Sequence, residues 1–141
     1  MRWGLLLWWA SSAAVAAPAC APTIEKAWVR AAPPGAMMLA GYAVVRNDCA
    51  QAAVITGATS QAFAEAMIHE TRVENGMSSM QHVDRLPLPA KGSVAFAPGG
   101  RHLMLMDPAR ALREGDKVRI TLRLADGREI AADFPVRKDA P

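Results

Sequence analysis

The stretch Lys117-Val118-Arg119-Ile120-Thr121-Leu122-Arg123-Leu124 decides the fold class. Val118, Ile120, Leu122 and Leu124 alternate with Lys117, Arg119, Thr121 and Arg123, so an extended segment here has one apolar face and one polar face. Asp126-Gly127 follows as a hairpin turn, and Glu129 to Val136 reads as the returning strand, with Pro135 marking an edge or the strand's end. Upstream, Leu39 to Arg46 and Ala52 to Gly57 read as a second pair joined at Asn47 to Gln51, and Glu25 to Arg30, carrying Trp28, reads as a first strand. Pro33-Pro34-Gly35, Glu74-Asn75-Gly76, Pro98-Gly99-Gly100 and Glu114-Gly115-Asp116 supply further turn signals. Ser60 to Ala66 is ambiguous and admits a short helical turn. Seven or eight short strands with few helical stretches predict an all-β antiparallel sandwich or barrel.

The rest of the composition has to be recounted before it is read. The chain has 141 residues, 52% hydrophobic, with 8 Met, 2 Cys and a formal charge of +3. Three of its four Trp fall in the first nine residues, where Arg2 precedes the apolar run Trp3 to Ala10 and small residues follow. That order is the order of a secretory leader. The apolar run is shorter than the roughly 20 residues a permanent membrane helix needs, so no stable membrane insertion is expected. Cleavage fits after Ala16 (Ala14-Val15-Ala16) or Ala19 (Ala17-Pro18-Ala19), which divides the chain into a leader, 1–19, and one exported domain, 20–141. Ala-Pro-Ala before Cys20 lacks the large aliphatic residue usual before a lipidated cysteine. Basic and acidic residues are interspersed without stacking aromatics, which argues against nucleic acid.

Export sets the meaning of Cys20 and Cys49. In an oxidising compartment such a pair is expected to form a disulfide, closing a loop of roughly 30 residues and adding about 3 kcal/mol on the chain-entropy account. A thiolate metal site is the competing reading, but there is no CxxC and neither cysteine lies near the remaining donor-rich segments.

Those segments contain His69, Met80, His102 and Met104. In Arg101-His102-Leu103-Met104-Leu105-Met106, strand alternation sends His102, Met104 and Met106 to one face and Leu103 and Leu105 to the other. Imidazole with thioether is a donor set suited to Cu(I); Mg and Ca want oxygen, and zinc would be expected to recruit Cys or carboxylate in place of Met. Thioethers also suit an oxidising compartment, where two close thiols would form a disulfide and lose the metal. Blue-copper electron transfer is disfavoured, since such sites need a thiolate.

The ordinary roles of these residue types limit how far the reading extends. Met on a strand is usually core filler, so Met67, Met77 and Met106 are assigned to the core or to support around the site. His82 could share the face of Met80 but reads as an exposed neighbour. Met37-Met38 reads as loop or packing, with a weak second copper contact as the alternative. Trp28 reads as a core anchor. Glu70 alternates to the face opposite His69, toward a salt bridge or solvent.

The spacing from His69 through ten residues to Met80, twenty-one to His102 and one to Met104 resembles the HX10MX21HXM signature of the periplasmic PCu(A)C copper chaperones. Trp28-Val29-Arg30, Ala40-Gly41-Tyr42, His69-Glu70, Pro98-Gly99-Gly100 and Glu114-Gly115-Asp116 are similar to that family as well, and the resemblance runs from about Ile24 to Arg137. It implies a cupredoxin-like Greek-key β-barrel binding one Cu(I) near the surface through His69, Met80, His102 and Met104. It further implies periplasmic delivery of copper toward the CuA centre of cytochrome c oxidase, alongside a thioredoxin-like Sco protein. The sequence ends at Val136-Arg137-Lys138-Asp139-Ala140-Pro141 without the His- and Met-rich C-terminal tail of some members, so a second copper site or Cu(II) storage on a tail is not expected. A non-enzymatic, monomeric metallochaperone is therefore expected. The alternatives are a periplasmic copper buffer without a dedicated recipient and a metal-free β-sandwich interaction module.

Overall fold

A computed structural model describes residues 11–14 and 19–141. The apolar run Trp3 to Ala10 and the Ala16 cleavage position lie outside the described residues. Among the described residues there are ten strands and no helix: β1 (Thr23–Arg30), β2 (Met38–Asn47), β3 (Ala53–Thr59), β4 (Phe63–Glu74), β5 (Met77–His82), β6 (Leu86–Leu88), β7 (Gly92–Phe96), β8 (Arg101–Pro108), β9 (Lys117–Leu124) and β10 (Glu129–Arg137). Ser60 to Ala62 form a turn, and the strand begins at Phe63, which resolves the ambiguous segment as β.

Seven of these strands close a barrel in the order β4-β8-β2-β1-β10-β9-β3, with β3 returning to β4 through the pair Ala58 and Ala66. β5, β6 and β7 lie outside the ring, on β4, β3 and β2 respectively. The barrel is filled by the inward half of each alternating strand. Val118, Ile120, Leu122 and Leu124 of β9 meet Phe134 and Val136 of β10, Val29 of β1 and Leu103 and Leu105 of β8, all nearly inaccessible to solvent. Closure leaves no open edge in the ring itself.

Two expectations need correction. β2 and β3 do not pair with each other: β2 pairs with β1, β7 and β8, and β3 with β4, β6 and β9. The reason is Asn47, a fully buried polar residue whose amide donates to the carbonyls of Gln51 and Pro89 at 2.9 and 3.2 Å while its Oδ1 accepts the Cys49 N–H at 3.1 Å. These bonds organise a crossover in place of a hairpin. The second correction is Pro135, which lies in a strand paired on both sides. Val136 N–H turns toward β9, donating to Asp116, so the N–H that Pro135 lacks would face β1, where pairing begins only at Val136.

Cys20 and Cys49 form the expected disulfide, with Cα atoms 5.8 Å apart. It ties the start of the domain to the Asn47 crossover. The loop it closes, 29 residues in sequence separation, corresponds to about 3 kcal/mol of stabilisation on the chain-entropy account.

Candidate metal centre

The candidate site is on the outer face of the wall β5-β4-β8-β2. Leu103, Leu105 and Ile68 point into the barrel, so their neighbours on β8 and β4 point out. Gly41 makes the close packing of β2 on β8 possible: a Cβ there would stand 3.3 Å from the Leu103 Cβ. Asn75 and Gly76, both at positive φ (51° and 75°), form a two-residue turn of the kind that matches strand twist, and this fixes β5 against β4.

Register then brings the donors into rows. His69 on β4 lies directly opposite His102 on β8 and, on its other side, opposite His82 on β5. The three rings form a line, 5.9 Å from His69 to His102 and 5.7 Å from His69 to His82, each pair edge-on. One row along, Met104 on β8 faces Met67 on β4 and Ala40 on β2; one row the other way, Met80 on β5 faces Thr71. The four sequence-predicted residues therefore share one face, with the two His adjacent and the two Met flanking them in opposite directions.

Their environments differ. His102 is 7% exposed and Met80 is 61% exposed. His102 Nδ1 lies 3.3 Å from the carbonyl of Gly100. A carbonyl can only accept, so Nδ1 carries the proton and Nε2 keeps its lone pair. The same carbonyl accepts the Thr71 N–H at 3.3 Å, which anchors it, and the Pro98-Gly99-Gly100 turn presents it. His102 Nε2 and His69 Nδ1 are both buried and have no hydrogen-bond partner. Buried polar atoms are seldom left so. An imidazole oriented through one nitrogen with the other nitrogen free is the arrangement of a metal-ligating histidine.

Electrostatics favour a neutral donor at His69. Burial first, and then the neighbouring His102 and His82, hold its pKa below the ordinary 6.5. Glu70 is on the opposite face and pairs with Arg72 at 3.5 Å and Arg101 at 3.6 Å, as alternation predicted. Among the described residues no three His, Cys, Asp or Glu side chains are grouped to hold a metal, and the further donors on this face are thioether sulfurs. The donor set present, two imidazoles with methionines, fits a soft monovalent ion and no hard cation.

The neighbours divide between the roles expected of them, with Met67 and Met106 beside the site in place of the core and His82 an exposed residue on the shared face. Met77 is 75% exposed, and Met67 and Met106 lie half-buried on the outer face, so none of the three is core. Met67 stands beside Met104, a position that strand alternation from His69 would have indicated. His82 is both a row partner of His69 and an exposed residue, with Nε2 2.8 Å from the Asp84 carboxylate. Trp28 is buried but outside the barrel core: its ring lies 4.9 Å from Tyr42 on the outer face, and the Arg30 guanidinium covers both rings at 5.5 and 5.6 Å. Val29 takes the inward position in its place, so Trp28 is buried as expected but as half of an aromatic pair on the outer side of the wall, apart from the barrel interior.

Known proteins share both this sequence and this fold. "Putative lipoprotein Lxx21020" of Leifsonia xyli subsp. xyli is 38% identical over 115 residues, which span 81% of this chain and 68% of that protein. The solution structure of apo-DR1885 from Deinococcus radiodurans superposes with a TM-score of 0.65 at 32% identity, covering 99% of this chain and 95% of that one. The copper-bound PCuAC domain from PmoF2 superposes with a TM-score of 0.68 at 26% identity, covering 88% and 97%. The family model described as "Putative lipoprotein LpqE-like" matches residues 22–136. The chain thus belongs to the LpqE-like family and carries the fold of PCuAC domains.

Proposed function

We propose that the protein is an exported Cu(I) chaperone that holds one copper through His69, Met80, His102 and Met104 and passes it toward the CuA centre of cytochrome c oxidase. The observation that carries this reading is the pair of buried, unpartnered imidazole nitrogens, His69 Nδ1 and His102 Nε2, on a face that also holds Met80 and Met104. The similarity to a copper-bound PCuAC domain and to DR1885, solved in a CuI form, supports copper as the ion. Neutral imidazole and thioether leave Cu(I) with its single positive charge and release no proton from sulfur. Such binding is weaker than thiolate binding and allows hand-over.

The contrast in exposure supplies a route for exchange. His102 and its Gly100 contact form the fixed part of the site. Met80, on a hairpin open to solvent, is the ligand an incoming donor displaces first. The chain's own role is to bind and orient the ion, with no catalytic step. Export agrees with the leader-like residues 1–19 and with the lipoprotein descriptions of its relatives. In this chain, however, the Cys20 sulfur is committed to Cys49, and a disulfide sulfur cannot also carry a thioether lipid.

The test is to mix the Cu(I)-loaded protein with an apo CuA domain under reducing conditions and follow copper in the recipient. Transfer is expected. Retention of copper by the donor would favour buffering, and failure to load at all would remove the copper reading.

A further inference from the structure

Beyond the four-residue centre, we infer a second, weaker soft-metal site at Met38 and Met106, one row past Met104 on the same face. Seven methionines follow Met1, and five of them, Met38, Met67, Met80, Met104 and Met106, point out from the wall β5-β4-β8-β2. Packing does not account for this concentration, because the barrel interior is on the other side of the sheet. Met38 is 55% exposed on a strand whose inward residues Leu39 and Ala43 are buried. A strand position open to water more commonly holds a polar or β-branched residue than a flexible thioether.

Register makes the pair a site. Met38 lies directly opposite Met106, and Met106 lies opposite Glu65 on its other side. Directly opposed residues have Cβ atoms about 5 Å apart, within which two methionine side chains can bring their sulfurs to one ion. The Met37 carbonyl accepts the Asp107 N–H at 2.8 Å, which fixes the start of this strand against β8, while the Met37 side chain falls on the face of Leu39 and is not part of the pair. Two thioethers give a low-coordinate sulfur site suited to Cu(I), and the Glu65 carboxylate opposite Met106 offsets the charge of the ion. Rows on one face of a strand are about 7 Å apart, so Met106, Met104 and His102 form successive stations along β8. The Met38 end is then an entry or exit position for copper. It contains no imidazole, so it binds more weakly than the central site.

The inference does not require the proposed recipient, and its test separates it from the central site. The protein spanning residues 20–141, with its disulfide intact, is titrated with Cu(I) against a chromogenic chelator while the methionine ε-methyl signals are followed by NMR. Two equivalents are expected, the second bound about tenfold or more weakly, with the Met38 and Met106 methyls shifting only during the second. M38L/M106L should lose the second equivalent and keep the first. His102→Ala should weaken the central site and leave the Met38 and Met106 shifts in place. A single equivalent in the wild type, or an unchanged second equivalent in M38L/M106L, would overturn the inference. If His102→Ala abolished both, the two sites would be one, and the inference would fail while the central reading stood.

Discussion

Two walls of the same barrel use the same alternation to opposite ends. On the β9–β10 wall the outward residues are Lys117, Arg119, Thr121 and Arg123 facing Glu129, Ala131 and Asp133, and the Arg119 guanidinium reaches Asp133 at 3.2 Å. On the β5-β4-β8 wall three imidazoles and four thioethers stand among the outward residues, beside Glu65 and Thr71, and two ring nitrogens have no partner. Inward, both walls contribute the same kind of aliphatic and aromatic packing. The comparison teaches that the interior specifies the barrel on either side, while polar atoms left unsatisfied on the outside mark where function resides.

The largest effect should come from the shared interior. Phe134→Ala, in a fully buried position of the first wall, should lower stability by about 3–5 kcal/mol in chemical denaturation, and copper binding should be lost only to the extent that the protein unfolds. Next, His102→Ala should weaken Cu(I) binding by about 100-fold or more in a chelator competition while the denaturation midpoint moves little. A large loss of stability there would mean that His102 is structural and would erase the contrast between the walls. Met80→Leu, which keeps volume and removes the sulfur of an exposed ligand, should weaken binding by about tenfold and leave the fold intact.

Smaller still is the pH effect. His69 is held below 6.5 by burial and its two histidine neighbours, so the unfolded chain protonates this group at higher pH than the folded one does. Stability of the apo-protein should therefore fall as pH drops through about 6.5, and His69→Gln should flatten that part of a melting-temperature profile. Copper binding should persist until the His69 imidazole itself protonates. The smallest effect belongs to the outward side of the first wall: Asp133→Ala breaks an exposed ion pair and should cost less than about 1 kcal/mol, without change in copper affinity.

The same contrast explains what the sequence made legible. β9 and β10 could be read closely because their alternation is clean and the Asp126-Gly127 turn is local: Gly127 is at positive φ, and the Asp126 carboxylate accepts the Arg128 N–H at 2.9 Å. β5 is exposed on both faces, so no hydrophobic period announces it, and its place follows from the Asn75-Gly76 turn. The mispairing of β2 with β3 arose because adjacency in sequence favours a hairpin, whereas the buried Asn47 network is a tertiary decision. His102 and Met104 were legible as an alternating pair on one strand. The rows that set Met67 beside Met104 and Met38 beside Met106 were not, because cross-strand register depends on distant turns and on a barrel closure that no single segment encodes.

The most direct test of the central claim is X-ray absorption at the copper edge on the protein loaded with one equivalent of Cu(I). A mixed coordination shell of imidazole nitrogen and thioether sulfur is expected, with the nitrogen contribution reduced in His102→Ala and the sulfur contribution reduced in Met80→Leu. A shell of nitrogen and oxygen alone, or one unchanged in both variants, would contradict it.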